Sequence, residues 1–153
     1  MSAPMFRKIL VPVDFSDHSD KAMAMALDLA RRYEAELILL HAVHLPIPVG
    51  HFPGGDVTVE YGQLVEYAES AARSQLQARV DQVALGDRAR TSLRTGDPVQ
   101  VILDEAERRG ADLIVMGTHG RSGLSRLFMG SVAERVVRAS PCPVLTARID
   151  LPE

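Results

Sequence analysis

The chain has 153 residues, a formal net charge of −3 and one cysteine, Cys142. That length lets one domain over 1–153 bury roughly 70% of its unfolded surface without disulfide or metal support. The acidic balance argues against a general nucleic-acid binder, one thiol excludes an internal disulfide or thiolate cluster, and no apolar run approaches the roughly 20 residues that span a membrane. The opening 1–8 lacks the apolar stretch of a signal peptide, so a reducing cytoplasm is the expected compartment.

Residues 8–13, Lys-Ile-Leu-Val-Pro-Val, form a short apolar run, and Asp14-Phe-Ser-Asp17 then offers helix-start chemistry. From Asp17 to Tyr33 the residues Ala22, Met25, Ala26 and Leu29 share one helical face. Residues 36–43 are a second continuous apolar strand. Residues 45–58 carry Pro46, Pro48, Gly50, Pro53, Gly54 and Gly55, so a loop is expected there. A long helix follows, with Leu64, Ala68, Ala72, Leu76 and Val80 at every fourth position. A weaker third strand at 90–95 ends at Gly96-Asp-Pro98, and proline suits the first turn of the helix that runs to Arg109. Its apolar stripe is Val99, Ile102, Leu103 and Ala106, and Gly110 ends it. The strand at 112–116, a glycine-bearing loop, a helix from Ser131 and a last strand at 143–148 complete the pattern. Strict strand–helix alternation with continuous apolar strands predicts a Rossmann-like three-layer α/β/α sandwich, with five mainly parallel strands and four helices.

The functional signal is concentrated in residues 117–131, Gly-Thr-His-Gly-Arg-Ser-Gly-Leu-Ser-Arg-Leu-Phe-Met-Gly-Ser. A loop from a strand end to a helix N-terminus is a place where backbone N–H groups converge on an anion. Glycines at 117, 120 and 130 would let a ligand approach the backbone, and a side chain at Gly117 or Gly130 is expected to block it. The same glycines also serve as turn residues, and Ser131 with Glu134 has the spacing of a capping box.

The spacing of a glycine, two residues, a glycine, nine residues and Gly-Ser resembles the nucleotide-binding signature of the universal stress protein family, in its ATP-binding subgroup. The likeness extends to 8–14, 39–41, 96–98, 111–117, 130–137 and 141–145, in the same order along the chain. It implies strand order 3-2-1-4-5, with the winding reversed between strands one and four. Ligands in open α/β sheets bind beyond the carboxyl ends of the strands at such a reversal. The resemblance further implies ATP with Mg²⁺ as cofactor. Pro12 and Val13 would floor the nucleoside, Asp14 would accept from ribose hydroxyls, and Ala42 would meet adenine through its backbone. Met116 and Gly117 would line base and ribose, while Gly120, Gly130, Ser131 and Val132 would surround the phosphates. It also implies a homodimer paired through strand 143–148.

Three further groups have competing readings. Arg121 and Arg126 either fork onto phosphate oxygens or are solvated loop arginines, and His119 either donates to a phosphate or faces water. Asp14 is equally suited to opening the first helix. His41 reads as a satisfied core histidine, His18, His44 and His51 lack metal-binding spacing, and Cys142 reads as a buried small residue. An efficient phosphotransferase is disfavoured, because no Gly-x-x-x-x-Gly-Lys-Ser/Thr loop occurs and no general base is evident. The functional expectation is a nucleotide-responsive regulatory module acting on an unidentified protein partner. Slow ATP hydrolysis and a scaffold without nucleotide are the alternatives.

Overall fold

The computed structural model describes residues 2–45, 57–119 and 129–148, with the side chains of 57–60 left aside. Gly120, Arg121, Arg126 and nearly all of the expected 45–58 loop lie outside the described residues.

Five parallel strands form one sheet in the order β3-β2-β1-β4-β5. They are β1 (Lys8–Pro12), β2 (Glu36–Val43), β3 (Ala89–Thr95), β4 (Leu113–Gly117) and β5 (Val144–Ala147). The helices between them are α1 (Asp17–Tyr33), α2 (Val57–Val83), α3 (Pro98–Arg109) and α4 (Ser131–Ala139). The expected fold class and strand order are those observed.

Alternation along each central strand divides the core in two. Ile9, Val11, Leu37, Leu39, Leu113 and Val115 pack against α1 and α2, through Ala22, Ala26, Ala30 and Leu76. Leu10, Ile38, Leu40, Ile114 and Met116 face the other way, against Val99, Ile102 and Ala106 of α3 and Ala133 and Val136 of α4. Both faces of β1, β2 and β4 are therefore covered, which is why those strands read as unbroken apolar runs.

Two local expectations change. The second helix already begins at Val57, inside the stretch expected to be loop, and Leu64 of its apolar stripe is 54% exposed. A fourth-residue repeat drifts about 40° per step around a helix of 3.6 residues per turn, so the stripe leaves the sheet towards the N-terminal half. Ala72 and Leu76 are buried where it does meet the core. The capping box at Ser131 is also absent. Gly130 is the N-cap of α4 and makes no side-chain bond, Ser131 is the first helical residue, and Glu134 pairs with Arg138 at 2.9 Å. By contrast, Ser16 caps α1 by accepting from the Ser19 N–H, and Asp97 caps α3 by accepting from the Gln100 N–H.

Candidate nucleotide crevice

The winding reverses between β1 and β4, which are neighbours. Strand β1 is followed by Val13, whose N–H continues the ladder to the Leu40 carbonyl at 2.8 Å, and then by a tight turn. In that turn Asp14 Oδ1 accepts from the Ser16 N–H at 3.0 Å and from the Ser16 hydroxyl. Phe15 lies between them at φ 65°, in the left-handed region that costs most side chains about 1 kcal/mol or more. The Phe15 ring packs on His41 with centroids 4.5 Å apart, and the Arg79 guanidinium lies 4.8 Å from its centroid. Arg79 also pairs with Asp20 at 3.1 Å, so α2 is pinned to the start of α1 beside this turn. Asp14 thus sets up the helix start through Ser16, which is itself the cap.

Strand β4 ends at Gly117, where a Cβ would stand 2.9 Å from the His18 Cβ and 3.0 Å from the His18 carbonyl. The absent side chain lets α1 close on the strand. Thr118 N–H then donates to Ala147 of β5, and the Thr118 carbonyl accepts from the Gly130 N–H at 2.6 Å. This last bond brings the uncapped start of α4 beside the end of β4. The first N–H groups of a helix have no partner within it, and the macrodipole adds partial positive charge there.

A cavity of about 740 Å³ lies between these parts. Its wall contains Pro12, Val13, Asp14, Ala42, Met116, Gly117, His119, Gly130, Ser131 and Val132, so ten of the sequence-derived site residues come together at one crevice. The wall also includes residues that sequence reasoning left out: Phe15, Thr118, Ala68, Ala71, Ala72 and Gln75 of α2, and Pro98 and Ile102 of α3. His41 belongs to the wall too, while its Nδ1 stands 2.7 Å from the Val13 carbonyl oxygen. It is a hydrogen-bonded strand histidine and a crevice residue at once. His119 has its Nδ1 3.0 Å from Thr118 Oγ1, and its ring centroid is 5.5 Å from that of His18. Among the described residues, no group of three or more His, Cys, Asp or Glu is placed to hold a metal ion, and no helix is long and apolar enough to cross a membrane.

The family model described as the universal stress protein family matches residues 5–148. The chain belongs to that family. Universal stress protein YxiE of Bacillus subtilis is 35% identical over 148 residues, covering 94% of this chain and 100% of the relative. The universal stress protein UspA of Lactobacillus plantarum superposes with a TM-score of 0.81 at 30% identity, covering 94% of this chain and 98% of that one. A universal stress protein solved in complex with cAMP superposes with a TM-score of 0.67 at 26% identity, over 96% and 98% of the two chains. The fold and family of these relatives are shared along nearly their whole length.

Proposed function

We propose that this universal stress protein is a single domain that binds ATP in the crevice and uses occupancy as a regulatory signal in the cytoplasm. The observation that carries the reading is the convergence of the β1 and β4 ends with the uncapped N-terminus of α4 on one cavity of about 740 Å³. A polyphosphate suits the α4 start, where N–H groups and the dipole favour negative charge. Asp14 would repel phosphate and so suits a ribose hydroxyl, which can donate to it. The apolar wall from α2 and α3 suits the base. The family relative bound to cAMP supports an adenine nucleotide as the ligand class. Mg²⁺ would be carried on the phosphates, since the described residues offer it no carboxylate cluster.

Turnover on this reading is slow. A carboxylate at Asp14 serves the ribose and the α1 start, and general-base catalysis needs a group free to take a proton from water. Strand β5 is an edge strand, and pairing it with a second copy across a two-fold axis would close the sheet edge. Leu145 of β5 borders a groove with Met25 and Leu29 of α1, which would extend such a contact. The regulatory partner would then read the occupied face of the dimer.

Calorimetry with ATP, ADP, AMP and adenosine tests the reading, together with analysis of nucleotide carried through purification. Saturable binding with ATP preferred over adenosine is expected. Absence of binding by all four would leave the scaffold reading, and phosphate release near the roughly 10 per second median of enzymes would make it an ATPase. Light scattering at low micromolar concentration should give a dimer mass.

A further inference from the structure

The Arg79 side chain of α2 reaches both flanks of the turn that follows β1. Its Nε and Nη2 lie 3.2 and 3.1 Å from Oδ1 of Asp20, in the first turn of α1, and its guanidinium stands 4.8 Å from the centre of the Phe15 ring. Asp20 in turn donates its N–H to the Ser16 carbonyl at 3.0 Å, so the grip extends to the cap of α1. The Arg79 side chain is 19% exposed, and its Nη1 donates to the Gln75 carbonyl at 3.5 Å. The turn it grips needs holding. Asp14 Oδ1 accepts from the Ser16 N–H across Phe15, so the Phe15 φ of 65° sets where the carboxylate stands relative to the helix start. Phenylalanine gains none of the freedom that makes a left-handed φ cheap for glycine. Residues in such conformations persist when their surroundings over-determine them. Here the surroundings hold the ring: His41 of β2 packs on it at 4.5 Å between centroids, with its own Nδ1 2.7 Å from the Val13 carbonyl oxygen, and Arg79 supplies the cation. A cation–π contact and the strain of one left-handed residue are of similar size, so the conformation of the turn is conditional on Arg79.

We infer that Arg79 is a positioning residue: by holding Phe15 in its left-handed conformation, it aims the Asp14 carboxylate and sets how strongly the crevice prefers ribose to deoxyribose. The inference rests on the nucleotide reading, in which Asp14 accepts from a ribose hydroxyl, and names a control on that contact from outside the cavity wall. Gln75 and Ala72, one and two turns earlier on the same helix, border the cavity, whereas Arg79 stands behind it against the turn. A hydroxyl donating to a carboxylate makes a charge-assisted bond that weakens steeply with misalignment. A small rotation of Asp14 therefore weakens the ribose contact and leaves those to base and phosphates in place. Loss of Arg79 lowers affinity selectively for nucleotides that carry the hydroxyl. An ion pair that only stabilised the fold would lower all affinities alike, and a partly exposed pair adds little of that.

Calorimetric titration of ATP, 2′-deoxy-ATP and 3′-deoxy-ATP into the full chain tests this, with wild type, Asp14→Asn, Arg79→Met and Arg79→Lys compared. Wild type should prefer ATP on the order of tenfold over the analogue lacking the hydroxyl that Asp14 engages, and Asp14→Asn should lose most of that preference. Arg79→Met keeps an apolar stem without the cation. It should narrow the preference by about two- to fivefold, the weight of one cation–π contact, with affinity for the deoxy analogue nearly unchanged. Arg79→Lys returns a cation to the ring and should recover part of the preference. Phe15→Leu keeps the strained backbone but offers Arg79 no ring, so it should narrow the preference by a similar factor and decides the matter if Arg79→Met does not fold. An undiminished preference in either variant, or an equal loss of affinity for all three nucleotides, overturns the inference and leaves the nucleotide reading intact. Equal affinities in wild type, or a preference that survives Asp14→Asn, removes Asp14 from the ribose and overturns the inference while ATP binding stands. Failure of all three nucleotides to bind wild type overturns both.

Discussion

The Gly130 N–H donates to the Thr118 carbonyl at 2.6 Å, and a Cβ built on Gly130 would stand 3.0 Å from that same oxygen. The glycine is therefore demanded first by the protein's own backbone and only then by any ligand. The sequence alone suggests only that a side chain here would block a ligand; the contact with Thr118 adds a cost to the fold itself. Gly130→Val must lengthen the bond or move the end of β4, at a cost of about 1–2 kcal/mol. Thermal unfolding without nucleotide should show a midpoint lower by about 2–8 °C, with nucleotide binding weakened as well. An unchanged midpoint with binding lost would mean that the collision is with the ligand after all. Gly117→Ala should behave similarly, because its Cβ would press on His18 at 2.9 Å and push α1 from β4.

The central strands were legible because each is buried on both faces, so that Ile9 to Val11, Leu37 to Leu40 and Leu113 to Met116 show no polar interruption. Strand β3 was fainter because it is an edge strand, with Arg90 and Arg94 pairing to Glu36 and Glu105 at its margin. The crevice was legible where the chain itself punctuates strand ends with Asp14, Gly117 and Gly130. Its α2 wall was not. Ala68, Ala71, Ala72 and Gln75 have no distinguishing chemistry in one dimension, and only the packing of α2 over β2 and β3 brings them there. The missing cap on α4 was hidden for a related reason. Ser131 and Glu134 have the spacing of a box, but the Gly130–Thr118 bond moves the helix start one residue earlier than that box requires.

Glu34 ends α1 at φ 56°, in a left-handed C-cap where its N–H bonds the Ala30 carbonyl. Its side chain is exposed, so nothing in the packing requires glutamate there. Gly110 fills the equivalent position after α3 at φ 66°. Glu34→Gly should relieve the Cβ penalty and stabilise the fold by about 0.5–1 kcal/mol, after the extra chain entropy of glycine is subtracted. Chemical denaturation should show a higher midpoint with an unchanged slope; a lower midpoint would mean that the glutamate has a stabilising contact outweighing the strain.

Glu105 is 2% exposed, yet it carries a full complement of partners. Its Oε1 accepts from the Ser92 hydroxyl and from Arg109 Nε, each at 2.8 Å, while Oε2 lies 3.2 Å from Arg94 Nε. The carboxylate ties α3 to the edge strand β3. Glu105→Ala would leave the Ser92 hydroxyl buried and unpaired beside a new void, while the arginines can turn to water. The expected loss is about 3 kcal/mol, at the lower end for breaking a buried pair. Denaturant unfolding measures it, and a loss within about 0.5 kcal/mol would show that the cluster behaves as a surface feature.

Cys142 is half-buried, and burial pushes its thiol above the ordinary value of 9.0, with a hydrogen bond to Ser140 opposing the shift. A raised value in the folded state means that folding favours the protonated thiol. The contribution to stability is therefore complete below pH 9.0, the unfolded value, and is lost as pH rises through the folded one. Wild type should lose more stability than Cys142→Ala between about pH 8 and about pH 10.5, the variant comparison removing the shared titration of lysine and tyrosine. The same physics predicts slow alkylation near neutral pH, since the thiolate is the attacking species and burial disfavours it. Alkylation of the native protein by iodoacetamide should run well below the rate of the urea-unfolded chain at equal pH. Equal rates would place the sulfur in an open environment and remove the basis for its stability contribution.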